Sequence, residues 1–203
     1  MRNLGGICRN RRLLCEEHLA MMMGMIGAVG AAGGGLTWQT TFSQALGTDS
    51  TGWQGFNLRQ WINSSLLSVS GSNVRLTLQA HSAAPCTIGD IYIGHQAAAG
   101  DAYDFDGNQA QIKVAGSGSF TITSGSSVVT DSAVFSLDKT KNLIVAVYFS
   151  IGSASSVSSA NAVSNVAAYF TSGADEASVS NAASGYNGAG NNILELINKI
   201  EVA

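Results

Sequence analysis

The sequence predicts an all-β fold: a two-sheet, jelly-roll-like sandwich over residues 36–203, carried behind a glycine- and methionine-rich segment at residues 1–35. Three observations predict it. Runs of strand length alternate apolar and polar side chains, the period-2 pattern of a half-buried strand. Clusters of Gly, Ser, Asn and Asp punctuate those runs every ~8–12 residues, the turn spacing of sandwiches and barrels. One run, Leu143–Phe149, is apolar throughout, as expected for a central strand covered on both faces.

In chain order, Arg11–Ala20 reads as a short helix, with Leu14, Met21 and Met25 on one stripe. Leu19–Leu36 follows without a charge, and its 18 residues reach the lower limit for a membrane span. Its glycines lower helix propensity, and Glu16, Glu17 and His18 stand where a secretion signal is cationic or apolar, so a membrane role is not expected. Met21, Met22, Met23, Gly24, Met25, Ile26, Gly27 and Gly30 instead suit close packing against neighbouring subunits through small and adaptable residues, either helical or extended. Residues 1–35 are therefore expected to form an assembly arm of a homo-oligomer.

From Leu36 onward the pattern is β. Val74, Leu76 and Leu78 alternate with Arg75, Thr77 and Gln79; Ile112/Val114 and Phe120/Ile122 repeat the alternation. Ile88 is out of phase with Ile91 and Ile93, with Gly89-Asp90 between them, which predicts a bulge or bend. Turns are expected at Ser70–Asn73, Asp106–Asn108, Gly116–Gly118 and Ser124-Gly125. In the tail, Ile193, Leu196, Ile197 and Ile200 fit a helix, whereas Leu194, Leu196, Ile200 and Val202 fit a strand.

Composition narrows the function. Charged residues make up 11% of the chain against roughly 25% in typical soluble domains. Such a surface suits a subunit held in an assembly or outside the cell better than a concentrated cytosolic enzyme. Residues 1–35 hold four Arg against two Glu, a net +2, and residues 36–203 hold six Lys/Arg against eleven Asp/Glu, a net −5. The acidic body argues against nucleic-acid binding there. Cys8, Cys15 and Cys86 form no disulfide framework and are expected to be inert thiols.

Several blocks fall in a recognisable order: Leu58-Arg59-Gln60, Val74-Arg75-Leu76-Thr77-Leu78, Pro85-Cys86-Thr87-Ile88-Gly89, Phe120–Gly125, Val129-Thr130-Asp131-Ser132 and Leu143–Phe149. The series resembles the N-terminal β-sandwich that precedes the catalytic domain in one branch of SGNH/GDSL-type hydrolases. That domain runs through an "LRQ" strand, "PLTIG", a "VTIPAG" strand, "SDPV" and "LAVSLY". Ala133 and Ala146 depart from its Pro and Ser positions. The resemblance covers residues 36–203 and implies a jelly-roll-like sandwich whose tail is a strand.

The hydrolases' catalytic elements have no counterpart. Gly47-Thr48-Asp49-Ser50 is not a Gly-Asp-Ser turn, Gly190-Asn191-Asn192 lacks the Asp of the Gly-x-Asn-Asp block, and no Asp-x-x-His occurs. The chain is expected to be non-catalytic and to need no cofactor. His18, His81 and His95 are scattered and read as ordinary histidines. Asp101, Asp104 and Asp106 in a glycine-ended loop are a weak calcium candidate, without the spacing of an EF-hand. Trp53, Tyr103 and Tyr186, in glycine- or asparagine-rich loops, are candidates for stacking on sugar faces; Trp38 and Trp61 read as strand packing. The expected role is a structural or adhesive subunit of a viral particle, of the tailed-phage kind (tail, fibre or decoration), located in the virion and able to contact host glycans. The alternative is a carbohydrate-binding module of a secreted or surface-anchored protein.

Overall fold

The computed structural model describes residues 35–182 and 185–203. The arm residues Met21, Met22, Met23, Gly24, Met25, Ile26, Gly27 and Gly30, and the short helix expected before them, lie outside the described residues. The body, Thr37–Ala203, is an all-β sandwich.

Fifteen strands follow one another among the described residues. The first half holds β1 (Gln39–Ser43), β2 (Thr48–Ser50), β3 (Phe56–Ile62), β4 (Gly71–Gln79), β5 (Cys86–His95), β6 (Ala110–Gln111), β7 (Phe120–Ile122) and β8 (Ser127–Val129). The second holds β9 (Ala133–Leu137), β10 (Leu143–Phe149), β11 (Val157–Ala160), β12 (Val166–Ser172), β13 (Asn187–Asn191), β14 (Leu194–Glu195) and β15 (Ile197–Val202). One sheet runs β1-β15-β4-β8, with β9 also on β4. The larger runs β13-β12-β3-β10-β5-β6, with β7 on β5, and a small third sheet runs β14-β11-β2.

The alternation read from the sequence sets the main core. Val74, Leu76 and Leu78 of β4 and Ile200 and Val202 of β15 point inward from one sheet. Leu58 and Ile62 of β3 and Leu143, Val145, Val147 and Phe149 of β10 meet them from the other. The unbroken run in β10 is buried on both faces. Ile144 and Ala146 turn away from the main core and pack with Phe105, Ala177, Trp61, Tyr92 and Tyr148. The segments 97–109 and 173–182 cover that outer face. The expected irregularity in β5 is present: pairing with β10 slips between Tyr148 and Phe149. A Cβ on Gly89 would stand 2.8 Å from the Tyr148 ring, so glycine there lets the two strands approach.

The tail is strand, as the resemblance implied. It is broken at Leu196, whose backbone sits at φ +66°. That left-handed residue, strained for a branched side chain, lets the chain leave the small sheet at β14 and enter the first sheet as β15. Cys86 is buried and burial pushes its thiol up to about 12, the inert behaviour expected of it. Trp61 is half-buried and donates its indole N–H to Gln96 Oε1 at 2.9 Å. Trp38 stands just before β1, its ring 4.4 Å from the Arg75 guanidinium carbon, rather than within a strand.

Strand β3 carries two fully buried polar side chains, Arg59 and Gln60, on opposite faces. Arg59 points outward and donates to the carbonyls of Glu176 and Val179 at 2.7 Å each, and more weakly to that of Tyr103 at 3.4 Å. Its guanidinium lies 4.6 Å from the Phe105 ring centroid. A planar fork suits this set of carbonyls; a lysine ammonium does not. Arg59→Ala is expected to cost ~3 kcal/mol or more, because several carbonyls lose a charged donor at once. Urea denaturation measures the loss, and amide exchange should accelerate first in residues 174–182.

Candidate functional site

A cavity of about 270 Å³ opens where the small sheet meets the edge of the larger one. Ser50–Trp53 form one wall, Phe56 and Phe170 a second, and Glu195 a third. The local sequence dictates the first wall. Ser50 ends β2, and Gly52 takes φ +84°. A tight turn then closes through Phe56 N–H to Trp53 C=O at 3.0 Å, with Gly55 at φ +73°. The turn is tied to the large sheet by Gly55 N–H to Phe149 C=O at 2.9 Å.

Trp53 anchors the cavity. It is only 8% exposed and packs on Phe149 at 5.3 Å between centroids. It meets Phe56 and Phe170 edge-to-face, at 6.3 and 5.9 Å. These are the preferred geometries of aromatic pairs. Its indole N–H donates to Ser50 Oγ at 3.0 Å.

Glu195 sits in β14 opposite Ser159 of β11 and is 6% exposed. Gln60 fixes its backbone: Oε1 accepts from Glu195 N–H at 2.9 Å, while Nε2 donates to Ala167 and Ile193 carbonyls at 3.0 and 3.1 Å. Glu195 Oε2 has no hydrogen-bond partner among the described residues. Burial pushes its carboxyl up to about 7, only partly offset by the Ser50 hydroxyl.

The residues singled out from the sequence fall in different places. Tyr103 and Tyr186 are each 8% exposed and stack on one another at 4.7 Å, with Tyr169 packed alongside. Their faces are therefore occupied within the protein, and the sugar-stacking expectation for these two gives way to a packing role. Trp53 is also a core residue, yet it borders the cavity. The acidic loop turns inward on its own backbone. Asp104 Oδ2 accepts from Asp101 N–H and Oδ1 from Ala182 N–H, Asp101 accepts from the Tyr103 hydroxyl, and Asp106 from Asn108 N–H. Among the described residues no group of three His, Cys, Asp or Glu side chains gathers as metal ligands, and the calcium candidate is replaced by a hydrogen-bonded turn.

Two other polar clusters are already satisfied. Asp49, His81 and Ser82 bring together the residue types of a nucleophilic triad in the wrong order. Ser82 donates to Asp49, not to the imidazole, and His81 Nδ1 accepts Ala83 N–H. The Ser82 hydroxyl and amide hold the Asp49 carboxyl below its usual range. A hollow of about 510 Å³ lies beside His95. There His95 Nε2 accepts Asp138 N–H, and Asp138 itself accepts from Thr140. The Trp53 cavity differs in having a buried carboxyl oxygen left over.

Glu195, Phe56, Phe170 and Ser50 were not singled out from the sequence. One signal was present: Glu195 interrupts the apolar run Leu194–Ile197 and so had to be buried or bulged out. The chain matches no family model, and no curated protein matches it.

Glu195 ties the cavity to stability. The folded chain holds this proton more tightly than the unfolded one. Its contribution to stability is full below about 4.5 and is lost as pH rises towards about 7. Glu195→Gln keeps the shape and removes the charge. The variant is expected to gain on the wild type with rising pH, by up to ~3 kcal/mol near pH 8. Denaturant midpoints across that range check it; parallel pH profiles would refute it.

Proposed function

We propose that this chain is a non-catalytic structural and adhesive subunit of a viral particle, of the tailed-phage kind, in which residues 1–35 bind neighbouring subunits and the sandwich offers its Trp53 cavity to a host glycan. The observation that carries the adhesive half is that cavity: apolar ring walls beside Ser50 and Glu195, about the size of one sugar ring. Pockets for drug-sized ligands are larger, ~300–1,000 Å³. The low charge of the chain, its apolar Gly/Met-rich arm and the resemblance to a hydrolase accessory sandwich support the assembly half.

The uncharged run Leu19–Leu36 favours a second reading, a carbohydrate-binding module anchored at a cell surface. Among the described residues no helix is long and apolar enough to cross a membrane. The arm separates the readings: assembly gives concentration-dependent oligomers without lipid, and anchoring gives partition into detergent.

Two measurements test the proposal. Immunogold labelling should decorate purified particles, and label confined to free protein would overturn the virion role. For the glycan, Trp38→Phe with Trp61→Phe leaves Trp53 as the sole indole. Its emission should shift saturably with a bound monosaccharide or glycan. A spectrum unmoved across a glycan panel would remove the adhesive role. Trp53→Phe is the matching variant, since Trp53→Ala would lose ~3–5 kcal/mol of core packing and confuse binding with unfolding.

A further inference from the structure

The Trp53 cavity contains an element that a neutral sugar leaves unused. Glu195 lines the wall with a side chain more than nine-tenths buried, and its Oε2, closed off from solvent, has no hydrogen-bond partner among the described residues. Groups of this kind are normally hydrogen-bonded, and an exception calls for a cause.

Among the described residues, the elements packed around Glu195 supply no counter-charge. From β2 comes Ser50, whose hydroxyl already accepts the Trp53 indole N–H, while Asp49 is held by Ser82. From β11 comes Ser159, whose hydroxyl is shared with Thr48. From β3 comes the neutral amide of Gln60, with Arg59 on the opposite face and bound to loop carbonyls. From β12 comes Phe170, with Tyr169 turned to the outer tyrosine cluster. In β15, Lys199 and Arg75 across from it both pair with Glu201. Ser50 favours the charged carboxylate without neutralising it.

We propose that the cavity selects a sugar unit bearing a free protonated amine, with Glu195 as the residue that reads the ammonium. An ammonium supplies what the wall lacks, a positive charge for the Glu195 carboxylate, and with it a charge-assisted hydrogen bond. The aromatic walls add to it. The C–H face of a sugar packs on apolar rings, and a cation near an aromatic face is attracted by the ring quadrupole. A hydroxyl offers the donor without the charge. An N-acetyl group removes the charge and adds bulk to a small cavity.

Binding of an amine is linked to ionisation of Glu195. Below about 7 the carboxyl is largely protonated in the empty cavity. The amine then displaces a proton, and its affinity falls close to tenfold for each further pH unit.

The inference rests on the glycan-contact reading, and the test separates the two. Calorimetry on the full chain compares glucosamine, glucose, N-acetylglucosamine and n-butylamine at pH 7, with glucosamine and butylamine repeated at pH 5. Glucosamine is expected to bind at least ~10-fold tighter than the two neutral sugars, a margin of one charge-assisted contact. Glu195→Gln should erase that margin without abolishing weak glucose binding, and butylamine should weaken at least ~30-fold at pH 5. Equal affinities for glucosamine and glucose, or a margin that survives Glu195→Gln, would overturn the amine selectivity and leave the glycan contact standing. Butylamine binding as tightly as glucosamine would uphold the ammonium site and count against a glycan. No binding by any of the four would end both ideas. The Gln variant's melting curve and sole-Trp53 emission show that it is folded.

Discussion

Strand β3 is buried on both faces, and its two central polar side chains must find partners inside the protein. That requirement organises much else. On the outer face, Arg59 draws loop carbonyls from two distant segments over the large sheet. Asn57, on the same face, receives Glu176 N–H and donates to the Ala174 carbonyl. The loops covering β10 are therefore held by directed hydrogen bonds as well as by Phe105 and Ala177. On the inner face, Gln60 reaches the tail and fixes the backbone at Glu195. The cost of leaving such groups unpaired in a dry interior makes this strand a hub.

The cavity is a consequence of how the tail is routed. The chain must pass from the small sheet to the first sheet within a few residues, and Leu196 makes the change at positive φ. The bend leaves Glu195 on the side facing Trp53, Phe56 and Phe170. A carboxyl in that position works against stability at neutral pH. A neutral residue of the same shape would serve the sandwich better, and the proposed ammonium ligand would offset that local cost.

Much of the fold was legible because period-2 alternation reports directly on which side of a sheet faces the core. Val74, Leu76 and Leu78 read correctly for that reason, as did the slip around Gly89 and the doubly covered strand Leu143–Phe149. The tail was ambiguous on periodicity, since its apolar residues satisfy both periods. The candidate site was barely legible. Loop aromatics suggested exposed stacking faces, but Tyr103 and Tyr186 find each other across more than eighty residues of sequence and close into a small core. The acidic loop suggested a cation, but its carboxylates are used by nearby backbone amides, as Asp side chains in turns often are.

The sequence by itself determined that residues 36–203 form sheets, where most of the turns fall and which strand lies at the centre; the turn expected at Ser70–Asn73 is instead the start of β4, which opens at Gly71 and pairs there with β9. Those properties are local, set by side-chain alternation and by residues that favour turns. Only the tertiary structure decided that Ser50, Trp53, Phe56, Phe170 and Glu195 share one cavity and that Glu195 Oε2 lacks a partner among the described residues. They come from four strands and one loop, and their meeting depends on sheet order and on a single left-handed residue in the tail, neither of which leaves a periodic trace in the chain.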